Sequence, residues 1–139
     1  MFSARFYLLV SAFSGLLSVV LGAFGAHGLK KIVTADMLTT YQTGVQYQLI
    51  HTLALLGLAI LLLILNADLA VVKKLKLSAN LMIIGIVLFS GSLYTMTFMS
   101  VAGGFPAWLG PITPIGGLAF IMAWACLAVA AFKLSAKDN

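Results

Sequence analysis

The sequence predicts an all-α fold: one integral membrane domain, residues 1–139, built as an antiparallel up-down-up-down bundle of four helices. Three observations predict it. Of 139 residues, 63% are hydrophobic and 8% charged, with a mean hydropathy of +1.15; an ordinary soluble domain carries about 25% charged residues. Four apolar runs recur along the chain, each roughly as long as the ~30 Å needed to cross a hydrocarbon core. The few charges fall between those runs and at the chain end. So large an apolar excess cannot be hidden inside one small soluble core, where surface is plentiful relative to volume. The lipid bilayer is therefore the expected solvent and partner. The four helices are expected at about 6–27, 35–65, 77–99 and 114–134.

The first run, Phe6 to Ala26, follows Arg5 and ends in small residues. A cleaved signal peptide has the same outline, but this run is longer than a usual signal core and is expected to be a retained helix. Ser11, Gly15, Ser18, Gly22 and Gly25 recur along it at spacings of four, three, four and three. In lipid, close backbone contact drives helix association, and small residues permit it. Gly22, Gly25 and Gly28 have the wrong spacing for a dinucleotide-binding loop, and no strand precedes them. Gly28 is expected to close the helix, with Lys30 and Lys31 near its negative end.

Thr34 is the candidate N-cap of the second helix, and Asp36 suits its positive end. If unbroken from residue 35 to 65 this helix is ~46 Å long, so it must tilt, bend near Gly44 or project. It carries a dense polar run, Tyr41 to His51, on which Thr40, Gly44, Tyr47, Gln48 and His51 share one face. Asn66 to Lys76 reads as a short polar link. The third run carries Ser90, Gly91, Ser92, Tyr94, Thr95 and Thr97 in its second half. Ser100 to Thr113 holds Gly103-Gly104, Phe105-Pro106 and Gly110-Pro111, breakers that exclude a regular helix. It is expected to be an interfacial loop anchored by Trp108. Thr113-Pro114 reads as an N-cap followed by proline at the first helical position. Gly116, Ala119, Ala123, Cys126 and Ala130 give the fourth helix a small-residue seam like that of the first. The two seams are expected to meet and close the bundle.

Four spans put both termini and the 66–76 link on one side, with Arg5, Lys73, Lys74, Lys76, Lys133 and Lys137; Lys30 and Lys31 lie on the other. The positive-inside rule then places both termini in the cytoplasm of a bacterial plasma (inner) membrane protein. In that frame His27, Tyr47, Gln48, His51, Ser90, Tyr94, Thr97 and Thr113 gather toward the outer leaflet and form the candidate polar or ligand-binding cluster. His51 is expected to point inward and bond a polar group on the third helix, with Tyr94 the best candidate.

Several function classes are disfavoured. The net charge of +5 comes from lysines between spans, without interleaved aromatics, so nucleic-acid binding is excluded. The single Cys126 permits no internal disulfide. A metal site of His27, His51 and Cys126 fails on depth: the sulfur lies ~18 Å along its helix from Pro114, far below the histidines. Catalysis is disfavoured because Asp36, Asp68 and Asp138, the only acids, lie outside the spans and cannot orient a histidine base. Cation-coupled carriers generally hold an acid within the membrane, and none is present. No catalytic residue, metal or cofactor is assigned.

Four motifs carry a resemblance: Gly22-Ala23-Phe24-Gly25-Ala26-His27-Gly28; Tyr47-Gln48 with His51; Leu88-Phe89-Ser90-Gly91-Ser92-Leu93-Tyr94; and Thr113-Pro114-Ile115-Gly116-Gly117 with Trp124. Together, in order and over essentially the whole chain, they resemble the small bacterial inner-membrane proteins typified by YgdD and YwdK, domain of unknown function four-two-three. The resemblance implies a four-span plasma-membrane protein and brings no catalytic residue or substrate. The expected function is a non-enzymatic structural or accessory module shaped by its outer polar cluster. The alternative is a carrier or receptor for a small neutral molecule or lipid headgroup bound in that cluster. A homo-oligomer through one of the seams stays open, as does the identity of any small-molecule ligand.

Overall fold

The structure, a computed structural model, describes residues 2–65 and 67–135. Asn66, Lys137 and Asp138, which the sequence reading used, lie outside the described residues. The chain is four helical spans, with no strand among the described residues. Span one is α1 (Ala4–His27) and span two is α2 (Ala35–Ile64). Span three is α3 (Leu69–Gly85), a π-helical turn (Ile86–Ser90) and α4 (Gly91–Val101); span four is α5 (Ile112–Ser135). Each span is long and apolar enough to cross a membrane.

Local chemistry explains the helix starts. Ser3 Oγ accepts the Phe6 N–H at 3.3 Å, and Thr34 Oγ1 accepts the Met37 N–H at 3.3 Å, with Asp36 in the first turn. Each side chain meets a backbone donor that the first helical turn cannot satisfy itself. Gly28 closes α1 as expected, its N–H bonded to Phe24 O at 2.8 Å.

Two boundaries differ from expectation. Span three begins at Leu69, so most of the expected 66–76 link is helix and carries Lys73, Lys74 and Lys76. Lysine is a good helix former, and its long stem can lie along apolar surface while the ammonium reaches water. α5 begins at Ile112, which puts Pro114 third in the helix; first-turn N–H groups have no intrahelical partner, so proline costs no bond there. Thr113 is thus inside the helix and does not cap it.

The expected contact between the seams of the first and last spans is also corrected. α1 packs on α2, α5 packs on span three, and α2 and span three pair between them. Gly22 approaches Val45, and Gly25 lies so close to the Tyr41 ring that an added Cβ would sit 2.8 Å from it. On α5, Gly116 brings the helix against the Phe89 backbone, and Ser78 Oγ donates to Ala123 O at 2.7 Å. Each seam therefore serves its neighbour in sequence. The spacing of small residues defines which face is close-packed; which helix meets that face depends on the whole bundle.

The main core lies between α2, α3 and α5, where Leu55, Leu58, Leu75, Ala79, Met82 and Ala123 are buried. A smaller cluster of Leu93, Met96 and Leu109 ties the 102–111 connection to α4. Phe13, Val19, Ile64 and Phe132 stand on the outside, the expected arrangement where the solvent is lipid.

Candidate functional site

Two polar groupings lie on adjacent faces of α2, because Gln48 and His51 are three residues apart. The first joins α1, α2 and α4. Buried Gln48 directs its amide nitrogen at Ser14 O (3.1 Å) and Ser14 Oγ (3.4 Å), and its Oε1 accepts the Tyr94 hydroxyl at 2.7 Å. Ser14 Oγ also lies 2.6 Å from Thr52 Oγ1. Gly44 makes the approach possible: a Cβ there would sit 2.8 Å from the Tyr94 ring. Tyr41 packs beside Tyr94, ring centroids 5.1 Å apart, and donates to Leu21 O at 2.9 Å.

The second grouping joins α2 to α5. His51 is 5% exposed and points into the bundle as expected. Its partner is not Tyr94, which Gln48 already holds. His51 Nδ1 lies 2.7 Å from Tyr47 O, and Nε2 lies 3.3 Å from the Trp124 indole nitrogen. The imidazole stacks on Phe120 with ring centroids 3.5 Å apart. Tyr47 is 39% exposed and stacks on Phe89 at 4.5 Å. With both nitrogens engaged, His51 has neither to spare for a metal or a reacting proton.

The remaining expected members do not join one cluster. Thr97 is fully buried and donates to Leu93 O (2.9 Å) and Met37 O (3.3 Å). Thr113 Oγ1 pairs with Ser92 Oγ at 2.7 Å. That pairing sets the first turn of α5 beside a residue nine positions short of the end of α4, so the 102–111 connection folds back along α4. Ser90 is fully buried, and its hydroxyl has no partner among the described residues. His27 is exposed at the end of α1 and joins none of these contacts. No three His, Cys, Asp or Glu side chains converge among the described residues.

An apolar cleft of about 650 Å³ opens between α1 and span three. Phe13 and Leu17 line one wall, Ile83, Val87 and Gly91 the other. Ser14, Gln48 and Tyr94 are its only polar side chains, and none is charged. Two contacts strap the cleft at its ends. Tyr7 Oη donates to Asn80 Oδ1 at 2.8 Å, and the Phe24 and Phe98 rings lie 6.2 Å apart.

Sequence reasoning missed Ser14, Thr52, Phe120 and Trp124. Ser14 falls one position off the small-residue seam. Phe120 and Trp124 carry no polar spacing signal; their spacing of four on one α5 face was the available clue.

Comparison with known proteins agrees with this architecture. A family model described as protein of unknown function (DUF423) matches residues 21–117. A UPF0382 membrane protein of Haemophilus influenzae is 44% identical over 127 residues, covering 91% of this chain and 94% of the relative. The UPF0382 membrane protein YwdK of Bacillus subtilis is 42% identical, covering 93% and 98%. The UPF0382 inner membrane protein YgdD of Escherichia coli is 38% identical, covering 97% and 95%. No solved structure matches significantly. With four apolar spans and full-length similarity to these relatives, the chain belongs to the DUF423 family of UPF0382 membrane proteins, a family of unknown function.

Proposed function

We propose that this protein is a non-enzymatic membrane module that takes an uncharged, elongated lipophilic molecule sideways from the bilayer into the cleft between α1 and span three. The cleft itself carries the reading. Its volume of about 650 Å³ falls in the range of small-molecule sites, roughly 300–1,000 Å³. Its walls are apolar and uncharged, and outward residues such as Phe13 and Val87 stand at its mouth. The Tyr7–Asn80 and Phe24–Phe98 straps favour entry from lipid over entry from water. The ligand therefore sits against Gln48 and Tyr94 and away from His27, His51 and Thr113. A lipid headgroup fits poorly, since Ser14 lies ten residues from the start of α1, or ~15 Å in. The E. coli relative is named an inner membrane protein, and we place this chain in the same membrane with cytoplasmic termini.

A purely structural module is the second reading. It is favoured by the internal satisfaction of Gln48, Tyr94 and His51, whose polar atoms all meet protein partners. Gly91→Leu separates the two. Gly91 lines the cleft in a helical conformation, and a Cβ there meets nothing within 4 Å. The larger side chain should fill the cleft without a clash. Native mass spectrometry from lipid nanodiscs should show a retained adduct on the wild type and none on folded Gly91→Leu. No adduct on either protein leaves the structural reading.

A further inference from the structure

We infer that the cleft selects a neutral molecule with a single hydroxyl group, which it reads through acceptor positions on Tyr94 Oη and Gln48 Oε1. The inference rests on the binding reading above and deepens it. The argument begins with hydrogen-bond capacity. Both hydrogens of the Gln48 amide are directed at Ser14, at 3.1 and 3.4 Å. The Tyr94 proton goes to Gln48 Oε1 at 2.7 Å. Ser14 Oγ, accepting from Gln48, is left to donate to Thr52 Oγ1 at 2.6 Å. Every donor facing the cleft is therefore committed. What remains is acceptor capacity: the lone pairs of Tyr94 Oη and the second lone pair of Gln48 Oε1. An incoming group must donate. A ketone or ester oxygen brings only lone pairs, and an ammonium brings a charge that no residue in the cleft neutralises.

The position of these acceptors sets the orientation. Tyr94 and Ser14 lie toward one end of the lining, which runs from Phe6 to Leu17 on α1 and from Ile83 to Tyr94 on span three. The apolar walls extend from the acceptors toward the chain termini for eleven residues on span three, or ~16 Å. A ligand satisfying both would hold its hydroxyl toward the bilayer centre and its tail outward. A phospholipid has the reverse polarity, with its charged group at the surface. The cleft thus discriminates against the bulk lipid around it, while burying one hydroxyl against waiting acceptors costs little.

The test uses three probes of matched length in nanodiscs, dodecane, dodecanol and methyl decyl ketone, with retention read by native mass spectrometry. Dodecanol should be retained roughly fivefold better than dodecane, the equivalent of one neutral hydrogen bond, and the ketone no better than dodecane. The double variant Gln48→Leu/Tyr94→Phe replaces both partners by apolar groups and should fold. It should bind dodecane as the wild type does and lose the preference for dodecanol. Equal retention of all three probes overturns hydroxyl recognition and leaves the binding reading standing. A preference for the ketone, or a dodecanol preference that survives in the double variant, also overturns it. Retention of none overturns the binding reading, and this inference with it.

Discussion

The indole nitrogen of Trp124 lies 3.3 Å from Nε2 of His51. An indole N–H can only donate, so Nε2 accepts and the imidazole proton sits on Nδ1, facing Tyr47 O at 2.7 Å. The first prediction follows from this assignment. Nitrogen-15 solid-state NMR of the protein in lipid should report the Nδ1-protonated tautomer for His51. Trp124→Phe should cost about 1 kcal/mol, in the range measured for hydrogen bonds between membrane helices. A dominant Nε2-protonated tautomer would contradict the contact.

Gln48 and Ser90 should behave oppositely. Gln48→Leu strips Tyr94 of its acceptor and should destabilise the detergent-solubilised bundle by about 1–2 kcal/mol. Ser90→Ala removes a hydroxyl that has no partner and should be neutral or slightly stabilising. A thermal melt that ranks Ser90→Ala below Gln48→Leu would show that the Ser90 hydroxyl is engaged.

The glycines divide in the same way. An added Cβ at Gly116 meets the Phe89 backbone, which cannot swing aside, whereas one at Gly57 meets nothing within 4 Å. Gly116→Ala should therefore lose about 1–3 kcal/mol by overpacking, while Gly57→Ala should hold or gain up to ~1 kcal/mol from helix propensity. Equal melting temperatures for the two variants would place α5 farther from span three than described.

Topology is tested by fusions. Six of eight basic residues, Arg5, Lys73, Lys74, Lys76, Lys133 and Lys137, share one side by span count, so the C-terminus should be cytoplasmic. A C-terminal alkaline phosphatase fusion should be inactive and a green fluorescent fusion bright. The reverse pair of results would invert the bundle.

The number, order and class of the spans were legible in the sequence because lipid imposes long apolar runs. The start of span three was not, since Lys73, Lys74 and Lys76 look like a link while serving equally well in a helix. At the site, the inward face of α2 was legible from the spacing of Gln48 and His51, but their partners were exchanged. Tyr94 had been matched with His51 by depth alone; the absence of a side chain at Gly44 lets its ring lie against α2 and reach Gln48 instead. The partner of His51 lay on a helix that looked uniformly apolar, because a tryptophan contributes one polar atom to a large hydrophobic surface.

The π turn at Ile86–Ser90 was invisible in advance and has its own consequence. The Gly91 N–H reaches back five residues to Ile86 O, so the turn holds one residue more than an α-helix would. Each residue of an α-helix advances the chain by about 100°. Deleting any single residue here would turn everything after it by about that angle, carrying Ser92 away from Thr113 and Tyr94 away from Gln48. Substitutions within the turn change side chains and leave the phase intact. What this segment passes to the rest of span three is a count of residues, and a chain of this family one residue shorter between Met82 and Tyr94 would need a compensating insertion to keep the same neighbours.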